Sequence, residues 1–300
     1  MASHVFSCFV DDDPILKAQA FIWLNCLKRL QKIDPSSIFV HATAGPSEFL
    51  DWLGSENINI IQVDRFDSRN KYCNKIKQLA TFCEGTYDQI VFMDCDTAWI
   101  GKEKLPLGLP VSARIVDMAN PPELVLQAIF IASGLGQPNW WPVSFPRGTG
   151  RELSDMNNCN GGLYICAGDF VKELEPRWRF WALWCLDNSH LFESYHNHAD
   201  QVSFALATRQ LNVRVGHLPM AWNFPTHMPN LLVAEQHDIS PQLVHYHRSM
   251  TSHLKLKPVG LPSIDFAIDE LNRSIAGFIS DNLLNSVFSD FRYVMSATET

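Results

Sequence analysis

The stretch DQIVFMDCDTAWIG, residues 88–101, ends an apolar run with two aspartates one residue apart, Asp94 and Asp96. In an extended chain, side chains two apart leave the same face, so both carboxylates face one point and Cys95 turns away. Two like charges held together are costly unless a cation neutralises them. The pair therefore predicts a divalent metal. A second acidic cluster, Asp11, Asp12 and Asp13, follows the first apolar run, so spacing by itself does not single out one pair. Farther along, Asp200 and Gln201 open the apolar run VSFALA. An aspartate there reads as a helix N-cap or as an acid–base group. In HNHAD, His196, His198 and Asp200 lie within reach of one zinc ion if the segment is extended, and otherwise read as solvated loop residues.

The elements around these residues follow from hydropathy. Residues 4–10, 37–43, 58–63 and 89–94 are short and β-rich, and the segments between them have helical period. In ILKAQAFIWLNCLKRL, Leu16, Ala20, Leu24, Leu27 and Leu30 recur at spacings of three and four, while Lys17, Lys28 and Arg29 fall elsewhere. A second helix is predicted over about 74–83. Strand and helix in alternation require crossover connections and a mainly parallel sheet covered on both faces. Ligands of such sheets bind beyond the carboxyl ends of the strands, where Asp94 and Asp96 stand. The first 101 residues thus read as an α/β nucleotide-binding layer. Residues 111–117 and 161–167 predict further strands, and residues 136–158, rich in Pro and Gly, a long loop that forms a lid or acceptor wall. Within it Trp140 and Trp141 are candidates to stack on sugar rings, as is Trp222 in a later loop-like segment, and Arg147 is a candidate donor or acceptor contact; Trp178, Trp181 and Trp184, spaced by three, read as core. From residue 263 on, Ile264, Ile268, Leu271, Ile275 and Phe278 trace one helical face that docks on the protein's own body, while exposed apolar residues on this helix would join two copies in a homo-oligomer.

Composition narrows the classes. With 46% hydrophobic residues among 300, the chain can bury a large core. A net charge of −8 argues against a nucleic-acid surface, which needs clustered Lys and Arg. The first ten residues lack a basic n-region, so no signal peptide is expected, and no run approaches a membrane span. Eight cysteines without any CxxC motif fit a reducing compartment, so the expected location is cytoplasmic, membrane-peripheral at most.

Several motifs, in order, resemble the nucleotide-sugar glycosyltransferases of GT-A fold, and within them the glycogenin-like family 8 that includes bacterial lipopolysaccharide galactosyltransferases. FVDDD is similar to that family's uracil-binding strand end, CNKIKQL to the segment whose basic residue, here Lys75, lies near the donor, and VFMDCDTAWI to its DxD element. NCNGGLYI resembles its Asn-x-Gly strand, HADQVSFALA its Asp-Gln pair, and LVHYH its late metal-binding histidine. The resemblance spans residues 4–258. It implies a GT-A domain over 1–262, with a nucleotide-binding part (1–101) and an acceptor and catalytic part (102–262), followed by a helical extension over 263–300. It further implies Mn²⁺ or Mg²⁺ on Asp94, Asp96 and His245, with His247 as the alternative. Val10, Asp11, Asp13, Lys75, Asp94, Cys95, Asn160, Gly161 and Lys257 would contact the donor, and Asp200 and Gln201 would be catalytic. The partners are then a nucleotide-sugar donor, UDP-sugar by resemblance, and a carbohydrate, lipid-linked or protein acceptor, with anomeric configuration retained.

The match departs at HYHRSMTSHLKLKP, which lacks the family's glycine and its tryptophan after Lys-Pro; this leaves His245 and His247 both open and weakens the inference of retention. If configuration inverts instead, Asp200 becomes the general base. Two competing classes stand beside this reading. A haloacid-dehalogenase-type phosphatase also uses Asp-x-Asp, but wants a threonine two positions after the second Asp and the motif on its first strand; here Thr97 follows directly and three strands precede. A non-catalytic sugar-nucleotide or glycan-binding protein would carry the same metal site.

Overall fold

The computed structural model describes residues 4–43, 47–106, 110–146, 151–227 and 239–296. Its main sheet has the strand order β10-β6-β9-β4-β1-β2-β3, where β1 is His4–Val10, β2 Ile38–Ala42, β3 Asn59–Gln62, β4 Gln89–Asp94, β6 Val111–Ile115, β9 Cys159–Ala167 and β10 Gly216–His217. The sheet is mixed and mainly parallel, flanked by helices, as the alternating pattern predicts. The chain divides into two compact units, one of residues 1–4, 65–92 and 106–218, the other of residues 5–64, 93–105 and 219–300.

In the second unit β1, β2 and β3 pair in parallel, with Phe6 opposite Ile38 and Phe39 opposite Asn59. Helix α1 (Pro14–Asn25) returns the chain from β1 to β2. Asp13 starts it: its carboxylate accepts from the amides of Ile15 (2.8 Å) and Leu16, and Pro14 supplies a preset first-turn φ. The helix closes in a π-turn over Cys26–Leu30, so the expected period ending at Leu30 holds through a local widening. Helix α2 (Glu48–Ser55) precedes β3 and is capped by Ser47. After β4, strand β5 (Thr97–Trp99) joins a small sheet in the order β11-β12-β5, with β11 at Trp222–Pro225 and β12 at Leu243–His245.

Three helices end this unit: α7 (Pro262–Ala276), α8 (Asp281–Asn285) and α9 (Ser289–Ser296). Ile264, Ile268, Leu271 and Ile275 are buried, as the stripe predicts, each removing apolar surface worth about 2 kcal/mol from water. Asn272 fixes the register by exchanging hydrogen bonds with the Leu256 backbone at 2.9 and 3.0 Å. Phe278 does not continue the stripe. It lies beyond the end of α7, is 44% exposed, and its ring receives the Arg29 guanidinium at 4.1 Å. Phe288 takes the core position instead, packing on Phe21, Phe49 and Trp52.

Buried His41 on β2 lies 3.1 Å through Nδ1 from the Ser7 hydroxyl. Burial disfavours its cation and lowers its pKa from 6.5 to about 4, against a smaller opposing contribution from the Cys8 backbone. The folded value lies below the unfolded one, so the unfolded chain binds the extra proton. His41 then contributes stability that is full above pH 6.5 and is lost as pH falls to 4, about 3 kcal/mol in all. Denaturant midpoints measured from pH 7 to 4 are expected to fall accordingly, less so in His41→Phe; a His41 resonance that titrates near 6.5 would refute the assignment.

In the first unit β6 runs antiparallel to β9, with Ser112 opposite Ile165, and β10 parallel to β6. The predicted helix over 74–83 is a 3₁₀ segment, Lys71–Ile76, passing into α3 (Lys77–Phe82). Within 136–158 the described residues include two paired strands, β7 (Trp140–Pro142) antiparallel to β8 (Leu153–Asp155), after α4 (Glu123–Ala132). Arg147, a candidate donor or acceptor contact, lies outside the described residues. Helices α5 (Gly168–Asp187) and α6 (Ala199–Gln210) pack over β9. Their core is the ring cluster Tyr164, Trp178 and Phe204, with centroids 4.5–5.4 Å apart. Trp178 and Trp181 are buried as expected, while Trp184 is only partly covered. Gly168 is required where α5 starts, because a Cβ there would sit 1.8 Å from the Tyr87 carbonyl oxygen.

Candidate active site

The second unit carries the one compact group of metal-ligating side chains among the described residues: Asp96, His245 and His247, whose ligand atoms all lie within 4.8 Å of one another. Backbone pairing puts it together. Strand β12 runs antiparallel to β5, with His245 opposite Thr97, and the Tyr246 amide donates to the Asp96 carbonyl at 3.0 Å. One Asp96 oxygen lies 3.2 Å from His245 Nε2 and the other 3.4 Å from His247 Nδ1. Burial alone would raise the Asp96 carboxyl; the two imidazoles outweigh it and hold the group well below the usual carboxylate range. The His245 Nδ1 lies 3.1 Å from the Asn223 side-chain oxygen, which orients Nε2 toward Asp96. An oriented imidazole beside an ionised carboxylate is a donor set that fits a divalent ion.

Asp94 is not in this group. Strand β4 ends at Asp94 and Cys95–Asp96 form the turn into β5, so the chain is not extended across the pair and the two-residue alternation does not apply. The turn is held by the Thr97 hydroxyl donating to the Asp94 carbonyl at 2.8 Å. Cys95 is buried, its thiol 3.8 Å from Gln19 Oε1.

The three N-terminal aspartates take different roles. Asp11, buried at the end of β1 beside buried Val10, accepts from the Thr43 hydroxyl (2.6 Å) and the Asp12 amide (2.8 Å). Asp12 is exposed and pairs with Lys17, and Asp13 is occupied as the α1 cap. Lys257 is exposed. Trp222 is buried on β11 against Trp99, with centroids 5.4 Å apart, so it offers no face to a sugar.

In the first unit, Lys75 Nζ lies 3.5 Å from an Asp200 oxygen, with side-chain exposures of 13% and 5%. Lys75 is therefore not a solvated helix lysine. Asp200 does not cap α6, which starts at Ala199 with His198 as the flanking residue; Asp200 sits in the first turn. The Trp178 indole anchors that turn by donating to the Asp200 carbonyl (3.0 Å) and the Ser203 hydroxyl (3.1 Å). Gln201, next in the turn, is half-buried. His196, His198 and Asp200 form no close ligand group, because the segment is a kinked 3₁₀ turn rather than extended chain.

A second polar array in this unit was not expected from the sequence. Asn160, buried on β9 beside Gly161, donates to Asp117 Oδ2 at 2.7 Å and accepts from the Gly162 amide at 3.0 Å. Asp117 also pairs with the buried Arg114 guanidinium. The available signal was an arginine inside the strand run VSARIVD, which an apolar core tolerates only with a partner. Trp141, at 39% exposure, presents an indole face near Arg214 and His217; Trp140 is partly covered.

No family model matches the chain and no curated protein matches its sequence. Solved structures do. An active-site variant of LgtC superposes with a TM-score of 0.55 at 14% identity, covering 90% of this chain and 95% of that one. The galactosyltransferase LgtC, in complex with donor and acceptor sugar analogs, gives 0.51 at 12% identity over 93% and 98%. Glycosyltransferase GlyE of Streptococcus pneumoniae TIGR4 gives 0.51 at 13% identity over 92% of this chain and 65% of that one. At such identities the likeness speaks for the backbone, and it gives this chain the GT-A fold.

Proposed function

We propose that the chain is a metal-dependent glycosyltransferase that moves a sugar from a nucleotide diphosphate sugar, with UDP-sugars as the donor class, to a glycan, lipid-linked or protein acceptor with retention of configuration. The observation that carries this reading is the Asp96–His245–His247 group, set just after a sheet strand of a GT-A fold. The GT-A likeness to LgtC and GlyE, named as glycosyltransferases, supports the reaction class.

Asp96 and His245, with Asp94, would hold Mn²⁺ or Mg²⁺. When bound, such a cation neutralises charge developing on a departing diphosphate. The chain's own residues supply the rest. Asp11, at a strand end, would accept from a nucleobase or ribose, with Val10, Asp13 and Lys257 as further donor contacts. Lys75 contributes fixed positive charge beside the Asp200 carboxylate. Asp200 and Gln201 then stabilise positive charge at the anomeric carbon, while Asn160, with its amide held by Asp117, orients sugar hydroxyls.

The test is UDP binding by isothermal titration with Mn²⁺ and with EDTA, followed by UDP release from a panel of UDP-sugars. Binding that needs Mn²⁺ and turnover of at least one donor are the expected results. A folded protein that binds neither UDP nor another nucleoside diphosphate with metal present would sink the reading.

A further inference from the structure

The late motif carries two histidines, and in the structure they do not behave as alternatives. Both rings address the same carboxylate, His245 at one oxygen of Asp96 and His247 at the other. Their rings stack with centroids 4.0 Å apart and an interplanar angle of 23°. A third imidazole, exposed His227, meets His247 edge-on at 3.9 Å. The backbone holds His247 there in an uncommon conformation: its φ is 49°, in the left-handed region, and the Gln19 side chain donates to its carbonyl. Left-handed backbone at a non-glycine residue persists only where the surroundings over-determine it. With one imidazole nitrogen beside Asp96, the other, Nε2, is buried and has no hydrogen-bond partner among the described residues. A buried ring nitrogen without a partner is costly unless something binds it.

Resting on the metal reading above, we infer that His247 is a second imidazole ligand acting together with His245, and that the site selects late first-row divalent ions over Mg²⁺. The chemistry follows from the donor set. Mg²⁺ prefers near-ideal octahedral oxygen and sheds water reluctantly. Imidazole nitrogen suits transition ions, with affinity rising from Mn²⁺ to Co²⁺ along the first row. Two imidazoles beside the carboxylates therefore rank Co²⁺ above Mn²⁺ and both well above Mg²⁺, and His247 sets the size of that gap. His245 is held for this role by buried Asn223, which leaves Nε2 free of a proton when Nδ1 donates to the amide oxygen.

The experiment titrates Co²⁺, Mn²⁺ and Mg²⁺ separately into the full chain by calorimetry, without nucleotide, for the wild type and His247→Asn. Wild type is expected to bind Co²⁺ at least about 100-fold more tightly than Mg²⁺, and His247→Asn to lose about 10- to 100-fold in Co²⁺ affinity while Mg²⁺ affinity is unchanged. Circular dichroism in EDTA checks that the variant is folded. A measurement that needs no variant accompanies it: electron spin-echo modulation of the Mn²⁺-loaded wild type, where two coupled imidazole nitrogens are expected. A Co²⁺-to-Mg²⁺ ratio unmoved in folded His247→Asn, or a single coupled imidazole, overturns the inference while leaving a metal site in place. Absence of binding by any of the three ions, together with no metal-dependent UDP binding, overturns both this inference and the reading beneath it.

Discussion

Asp96→Asn is expected to weaken Mn²⁺-dependent UDP binding by at least about 100-fold, a loss of roughly 3 kcal/mol or more. Asp96 is the carboxylate of the close ligand group, and both its oxygens face imidazole nitrogens, at 3.2 and 3.4 Å. Asn keeps the volume but removes the negative charge that a divalent ion needs, and it presents an NH₂ where a lone pair is required. The same titration in EDTA should bring wild type down to the level of the variant, so the two measurements converge from opposite sides. Equal UDP affinity in variant and wild type would show that the group has no part in nucleotide binding. Asp94→Asn, run in parallel, tests the other half of the motif: Asp94 is outside the close group, and a smaller loss than for Asp96→Asn is the expected order.

Removing Lys75 or Asp200 singly is the second large effect. The pair is nearly excluded from water, with side-chain exposures of 13% and 5%, so each charge gains more from its partner than an exposed pair would. Lys75→Met leaves the Asp200 carboxylate buried opposite an apolar chain, at a cost of about 3 kcal/mol. That should lower the thermal midpoint by on the order of 5–10 °C. The double substitution Lys75→Met with Asp200→Leu removes both charges and should recover most of the loss, because buried ion pairs exchange for apolar pairs of similar size nearly neutrally. Sugar transfer separates structural from chemical roles: the double variant should regain stability yet remain at least about 100-fold slower than wild type. A single variant within about 1 kcal/mol of wild type would show that solvent compensates the pair; recovered transfer in the double variant would remove Asp200 from the chemistry.

Much of this architecture is legible in the sequence. The apolar runs at 4–10, 37–43, 58–63 and 89–94 became β1 to β4 within a residue or two at each end, because buried parallel strands must be near-continuously apolar. The α7 stripe was readable from helical period through Ile275, and failed at Phe278 because the helix ends at Ala276. Trp222 was misassigned to a sugar-facing loop, since a four-residue strand in a small sheet carries too little pattern to recognise. The paired strands within 136–158 were missed for the same reason: three-residue strands flanked by Pro and Gly look like loop.

What the sequence by itself determined was the succession of strands and helices and the residue types at strand ends, because both are local properties of hydropathy and chain stiffness. Only the tertiary structure decided which of those residues meet. Asp96 reaches His245 and His247 because β12 pairs antiparallel with β5 across about 150 residues, and a turn at Cys95–Asp96 breaks the alternation that would have aligned Asp94 with Asp96. Likewise Lys75 finds Asp200, and Asn160 finds Asp117, which pairs locally with Arg114, by packing of segments far apart in the chain. Spacing along a chain reports which side chains share a face; which faces meet depends on loop closure and the burial of the whole core, and those are properties of the folded molecule.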